Sequence, residues 1–120
     1  MTRVLVVDDE SAVRNAMVEL LVLFDLDVSP VASGAEAVDQ ATRLRFDVVV
    51  MDINMKGMSG LETYRRLRET GVTTPVIVLT GWPNSPEARE LQSECGVTVV
   101  VKPPEIDELV DLIRSAHATD

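Results

Sequence analysis

The chain is poor in several things that mark specialised proteins. A single cysteine, Cys95, stands among 120 residues, which excludes a disulfide framework and any metal site built from several thiolates. Aromatic residues make up 3% of the sequence, and 11 Lys plus Arg face 20 Asp plus Glu, a formal net charge of −9. Such a surface repels phosphate backbones, so nucleic acid is not an expected partner. No apolar run reaches the roughly 18–20 residues of a membrane-crossing helix, and no basic segment precedes a cleavable apolar one. The expected compartment is therefore the cytoplasm, with no membrane association. There is no internal repeat, linker or low-complexity stretch. What remains, 46% hydrophobic and 26% charged residues, is the balance of a globular protein rather than a disordered one. Residues 1–120 fit one domain whose core needs no staples.

Short apolar runs alternate with longer amphipathic ones. Arg3–Val7, Asp27–Val31, Phe46–Met51, Pro75–Leu79 and Val97–Val101 read as strands, being short, β-branched and bounded by turn or acidic residues. Phe46–Met51 is almost wholly apolar, the pattern of a central parallel strand covered on both faces. Between them, helical spacing predicts helices over Ser11–Phe24, Gly34–Leu44, Leu61–Glu69, Pro86–Glu94 and Ile106–Ala116. In the first helix Val13, Ala16, Met17, Leu20, Leu21 and Phe24 form the expected core face, with Ser11 as N-cap. Five βα units in series imply a parallel sheet with helices on both faces and right-handed crossovers. Functional groups of such folds collect at the carboxyl ends of the strands.

Those ends carry an unusual set. The first strand runs into Asp8-Asp9-Glu10, the third into Asp52, the fourth into Thr80 and the fifth into Lys102. A nucleotide-binding domain would place glycines after the first strand, so that backbone N–H groups cradle phosphate. Carboxylates there do the opposite. Two of them about 5 Å apart repel by roughly 3 kcal/mol at an effective dielectric of about 20, so the cluster calls for a cation or for a proton on one member. Hard oxygen ligands without His or Cys suit Mg²⁺, which completes its octahedron with water and phosphate oxygens. Asp52 is then a candidate nucleophile for an acyl phosphate, Lys102 a compact cation for a phosphoryl oxygen, and Thr80 a hydroxyl donor on the same rim.

Taken together, Val4-Leu5-Val6-Val7-Asp8-Asp9-Glu10, Met51-Asp52-Ile53-Asn54-Met55 with Gly57-Met58-Ser59-Gly60, Val78-Leu79-Thr80-Gly81 and Val101-Lys102-Pro103 resemble a response-regulator receiver domain of two-component signalling. The resemblance covers essentially the whole chain. It implies a flavodoxin-like (βα)5 fold with strand order 2-1-3-4-5. It implies that Asp52 accepts a phosphoryl group from the phosphohistidine of a sensor histidine kinase or a histidine phosphotransfer protein. Asp9 and Asp52, with the backbone carbonyl of Asn54, would ligate Mg²⁺, and Asp8 would act through bound water. Lys102 and Thr80 would hold the phosphoryl group, Thr80 moving to bias an active state. The chain would be a signalling domain rather than an enzyme, with no room for an output domain, monomeric or weakly dimeric on phosphorylation.

Departures from the family's pattern are local. Val99 stands where Tyr or Phe usually lies three residues before the lysine, so the usual joint swing of Thr80 and a ring cannot operate. Lys56 replaces a common proline, placing an extra cation at the site's rim. Gly81 replaces a common alanine, Pro104 an apolar residue, and Trp82 is positioned to lid the pocket. Two other readings stand beside this one: a degenerate receiver that binds without phosphorylation, and a dehalogenase-like phosphatase. The phosphatase needs an acid where Asn54 stands. Taken singly, Asp8, Asp9 and Glu10 also suit a helix N-terminus, and Arg65, Arg66 and Arg68 a solvated helix face. Cys95 reads as a small apolar filler, and His117 as a favourable charge in a last helical turn. Val18 and Val22 are the residues of the first helix expected to dock a partner's helices.

Overall fold

β-Branched apolar segments too short for helices supply the strands, and the amphipathic stretches between them cross over from each strand to the next. The structure, a computed structural model, describes residues 1–118, and side chains through residue 116. Its elements are β1 (Arg3–Val7), α1 (Ser11–Val22), β2 (Asp27–Val31), α2 (Gly34–Arg43), β3 (Val48–Asp52), α3 (Gly60–Glu69), β4 (Val76–Thr80), α4 (Pro86–Ser93), β5 (Thr98–Val101) and α5 (Ile106–Ala118). All strand pairs are parallel, in the order β2-β1-β3-β4-β5. This is the flavodoxin-like, doubly wound architecture.

Alternation along each strand divides the interior into two layers. Leu5, Val7, Val49, Met51 and Val78 face Ala37 of α2, Leu67 of α3, and Ala88 and Leu91 of α4. Val4, Val6, Val50, Ile77 and Leu79 face Met17 and Leu21 of α1 and Leu109, Val110 and Ile113 of α5. Every residue of β3 and β4 is buried, as expected for strands covered on both faces. Side-chain caps open α2, α3 and α4: Ser33, Ser59 and Ser85 accept the N–H groups of Glu36, Glu62 and Ala88.

The edges of the sheet differ. β2 carries Pro30 as its penultimate residue, opposite Val6 of β1, whereas β5 is an uninterrupted Thr98-Val99-Val100-Val101.

Several boundaries move. Asp52 is the last residue of β3 rather than the first of a turn, and Thr80 is the last of β4. Ser11 is not the cap of α1; Glu10 holds that position without a side-chain cap bond. The core face of α1 is also narrower than its spacing suggests. Met17 and Leu21 are buried, but Ala16 and Leu20 are exposed. A 3.6-residue period fixes which side of a helix is apolar, yet α5 covers one flank of that side only in part. The side chain of His117 lies outside the described residues.

Candidate functional site

Because β1 and β3 are adjacent, with Val7 level with Met51, the residues that follow them meet at one edge of the sheet. Asp8 and Asp52 are both 4% exposed, and one carboxylate oxygen from each of Asp8, Asp9 and Asp52 lies within 4.8 Å of the others. From the far side of β4, the Lys102 ammonium reaches Asp52 Oδ2 at 3.0 Å. The Lys102 N–H donates to the Thr80 carbonyl at 2.8 Å, tying the ends of β5 and β4. Lys102 is followed by a cis peptide bond to Pro103. Thr80 is fully buried, and its Oγ1 accepts the Trp82 N–H at 3.0 Å.

The backbone of the adjoining loops is held by the same carboxylates. Asp8 Oδ1 accepts the Glu10 N–H at 2.9 Å, Asp52 Oδ1 the Asn54 N–H at 3.2 Å, and Asp9 Oδ2 the Lys56 N–H at 2.9 Å. Burial pushes the Asp8 carboxyl above the ordinary carboxylate range. The Glu10 N–H and Lys102 pull it down, while the charges of Asp52 and Asp9 push it further up. The donor set is all oxygen and its negative charge exceeds that of the Lys102 ammonium beside it, so the residues present fit a small hard dication such as Mg²⁺.

The structure thus brings together Asp8, Asp9, Asp52, Asn54, Thr80 and Lys102. Lys56 lies on the rim, lining an open cavity of about 650 Å³ with Asp9, Glu10, Asn54, Ser59 and Glu87. Trp82 does not cover the site: its side chain is 70% exposed and lines a separate cavity with Pro83 and Asn84.

Two positioning contacts have no counterpart in the sequence reading. The Arg14 guanidinium donates to the Asp8 carbonyl at 2.8 Å, clamping the turn after β1 from within α1. The Glu87 carboxylate accepts the Leu61 N–H at 2.9 Å, so the first turn of α4 satisfies an orphan donor of α3. Arg65 and Glu90 form a second link between these helices. Gly60 is needed where α3 meets β3, since a Cβ there would lie 2.8 Å from Ile53 Cα. Arg68 is not merely solvated: its guanidinium stacks 4.6 Å above Tyr64 and donates to the Val72 carbonyl.

Five parallel βα units whose strand ends gather three aspartates, a threonine and a lysine define a receiver. The sequence matches the response regulator receiver domain family over residues 4–114, and the chain belongs to that family. Among its relatives is the nitrate/nitrite response regulator protein NarP of Escherichia coli (strain K12), 36% identical over 118 residues, which cover 94% of this chain and 54% of that protein. Response regulator MprA of Mycobacterium leprae (strain TN) is 35% identical over 114 residues, with 94% and 50% covered. The chain spans about half the length of these curated relatives. Among solved structures, FixJ-N superposes with a TM-score of 0.90 at 30% identity, covering 98% of this chain and 94% of that one. The receiver domain of sensor histidine kinase PA1611 from Pseudomonas aeruginosa PAO1 superposes at 0.86 with 27% identity and 98% of each chain covered. That structure has a magnesium ion coordinated in its active-site cleft. Among the described residues of the present chain, no helix is long and apolar enough to cross a membrane.

Proposed function

We propose that residues 1–120 act as one phospho-accepting receiver domain, in which Asp52 takes a phosphoryl group from the phosphohistidine of a histidine kinase or phosphotransfer protein. The observation that carries this reading is the junction of three carboxylates within 4.8 Å with an ammonium 3.0 Å from Asp52. A carboxylate oxygen of Asp52 attacks phosphorus, the P–N bond breaks, and its electron pair leaves with the donor imidazole as the acyl phosphate forms. Asp9, Asp52 and the carbonyl of Asn54 would hold Mg²⁺, with Asp8 acting through bound water. A cation held by these residues would neutralise charge on the phosphoryl oxygens and the acidic cluster. Lys102 already lies beside Asp52 and would follow one phosphoryl oxygen as charge develops.

Thr80 would donate its hydroxyl to another phosphoryl oxygen. Moving to do so draws its Oγ1 from the Trp82 N–H, so the 81–85 loop must rearrange. Val99 is half-buried beneath α4 and has no ring to swing, which leaves that loop as the carrier of the signal. The domain is then a switch rather than an enzyme acting on other substrates. Asn54 also lacks the acid that a dehalogenase-like phosphatase would need.

The partner would dock beside the site. Ala12, Ala16 and Leu20 of α1 face Pro103, Pro104 and Ile106 across an open apolar groove of about 350 Å³. This flank of α1, rather than the Val18 and Val22 flank, presents the groove.

Acetyl phosphate or beryllofluoride with Mg²⁺ tests the reading, followed by intact mass or by Trp82 fluorescence. Modification of the parent and none of Asp52→Asn supports it. A parent chain that folds but takes neither reagent overturns it in favour of a phosphorylation-independent binding module.

A further inference from the structure

We infer that the Lys56 ammonium is a specificity-determining group at the mouth of the site, an unpaired cation that favours small dianionic acyl phosphates over less charged phosphodonors. The inference rests on reading Asp52 as the phospho-acceptor.

Every phosphodonor brings negative oxygens towards a cluster that is already negative. Asp8, Asp9 and Asp52 bring carboxylate oxygens within 4.8 Å of one another, in a chain of net charge −9. Such a field slows the approach of an anion. Of the chain's two lysines, Lys102 is taken up by Asp52 at 3.0 Å. The other is Lys56. Its backbone N–H is bonded to Asp9 Oδ2 at 2.9 Å, so its stem starts beside the cluster. The residue is exposed and lines the open cavity of about 650 Å³ that also contains Asp9 and Asn54. Glu87, an acid of that cavity, is engaged by the Leu61 N–H. Among the described residues no ion pair includes Lys56. Lys56 stands where the family commonly has proline, so its charge adds to the site without being part of the frame.

An exposed ammonium acts through solvent over about one Debye length, roughly 10 Å at 0.1 M salt. It guides approach more than it grips a bound group, and its pull scales with the charge of the incoming molecule. Acetyl phosphate arrives at neutral pH as a dianion. Phosphoramidate, with its nitrogen protonated, arrives as a monoanion. With either, an Asp52 oxygen attacks phosphorus. The P–O bond to acetate or the P–N bond to ammonia breaks, and the leaving group departs with the electron pair. The acceptor and the product are the same, so the donor's net charge is what Lys56 distinguishes.

The experiment measures modification of the full chain by each donor at neutral pH, low ionic strength and saturating Mg²⁺, followed by intact mass, with circular dichroism as a check on folding. For acetyl phosphate, Lys56→Gln is expected to lower the second-order rate constant about threefold and Lys56→Glu about tenfold, with Lys56→Arg at the parent's level. For phosphoramidate the losses are expected to be less than about twofold and about threefold. Added salt should shrink all of these differences. A Lys56→Glu rate equal to the parent's, or the same fold loss for both donors, overturns the inference.

An equilibrium measurement of opposite sign needs no phosphodonor. The same charge opposes a dication, so calorimetry should find Mg²⁺ bound about threefold more tightly by Lys56→Gln and about tenfold more tightly by Lys56→Glu. One affinity across the series would mean that the ammonium's field does not reach the site, and it overturns the inference. If the parent takes neither donor, the phospho-acceptor reading falls and takes this inference with it. If the parent is modified and its variants match it, this inference alone falls.

Discussion

The Lys102 ammonium lies 3.0 Å from Asp52 Oδ2, joining the ends of β5 and β3 across the intervening β4. Asp52 is 4% exposed while the Lys102 side chain is 28% exposed, so the pair is wetted from one side. Lys102→Met leaves a buried carboxylate beside two others. The expected loss of stability is about 1–3 kcal/mol, below the roughly 3–5 of a fully buried pair because solvent screens this one. Added Mg²⁺ should recover part of that loss, measured by urea unfolding with and without the cation. Modification by acetyl phosphate should slow by at least about tenfold.

Asp8 carries a pH signature. Its folded-state pKa lies above the ordinary value, mainly through burial, so the folded chain holds this proton more tightly than the unfolded chain does. Its unfavourable contribution is absent below the ordinary carboxylate range and complete above the raised value. Without divalent cations, Asp8→Asn should therefore raise Tm by roughly 2–5 °C at neutral pH. The advantage should shrink as pH falls towards about 4. With millimolar Mg²⁺ it should vanish or reverse, because the cation rewards the parent's extra carboxylate. Calorimetric scans across pH check each step.

Two glycines near the site should respond in opposite ways. At Gly60 a Cβ meets the Ile53 backbone at 2.8 Å, so Gly60→Ala must push the start of α3 off the end of β3. A loss of about 1–3 kcal/mol is expected, with weaker Mg²⁺ binding because Asp52 adjoins the displaced segment. At Gly81 nothing lies within 4 Å of an added Cβ, and no left-handed φ stands in the way. Gly81→Ala should stabilise by about 0.4–1 kcal/mol through the unfolded chain, while slowing the loop between Thr80 and α4. Denaturant midpoints and relaxation dispersion of residues 81–85 measure the two effects.

The groove beside α1 separates partner-dependent from partner-independent loading. Leu20→Glu places a charge on an exposed apolar position, with an expected stability change within about 0.5 kcal/mol. Phosphoryl transfer from a cognate phosphohistidine protein should fall about tenfold or more, while acetyl phosphate labels the variant normally. Val18→Asp should affect transfer less. Equal transfer by the Leu20 variant and the parent would show that the partner seats elsewhere.

Much of this was legible in the residues. The βα alternation and the convergence of Asp8, Asp9, Asp52, Thr80 and Lys102 follow from where apolar runs stop, because a parallel sheet aligns those stops. What residue types do not carry is backbone chemistry and coverage. A donor such as the Lys56 or Leu61 N–H has no residue type to advertise it, and Glu87 reads only as an acid in the first turn of its own helix. The exposure of Ala16 and Leu20 is not legible in the sequence because helical periodicity carries no information on how far a neighbouring helix extends. Distance along the chain from Thr80 suggests Trp82 as a cover, whereas Trp82 is 70% exposed and lines a separate cavity.

The two borders of the sheet set a limit on self-association. Pro30 removes a donor from the β2 border and keeps a further strand from pairing there. The β5 border offers an unbroken run of Thr98 to Val101. A molecule with one pairing-competent border can be extended by a single neighbour, and the resulting assembly then presents two proline-blocked ends. Growth of the sheet by pairing of these borders accordingly ends at two chains.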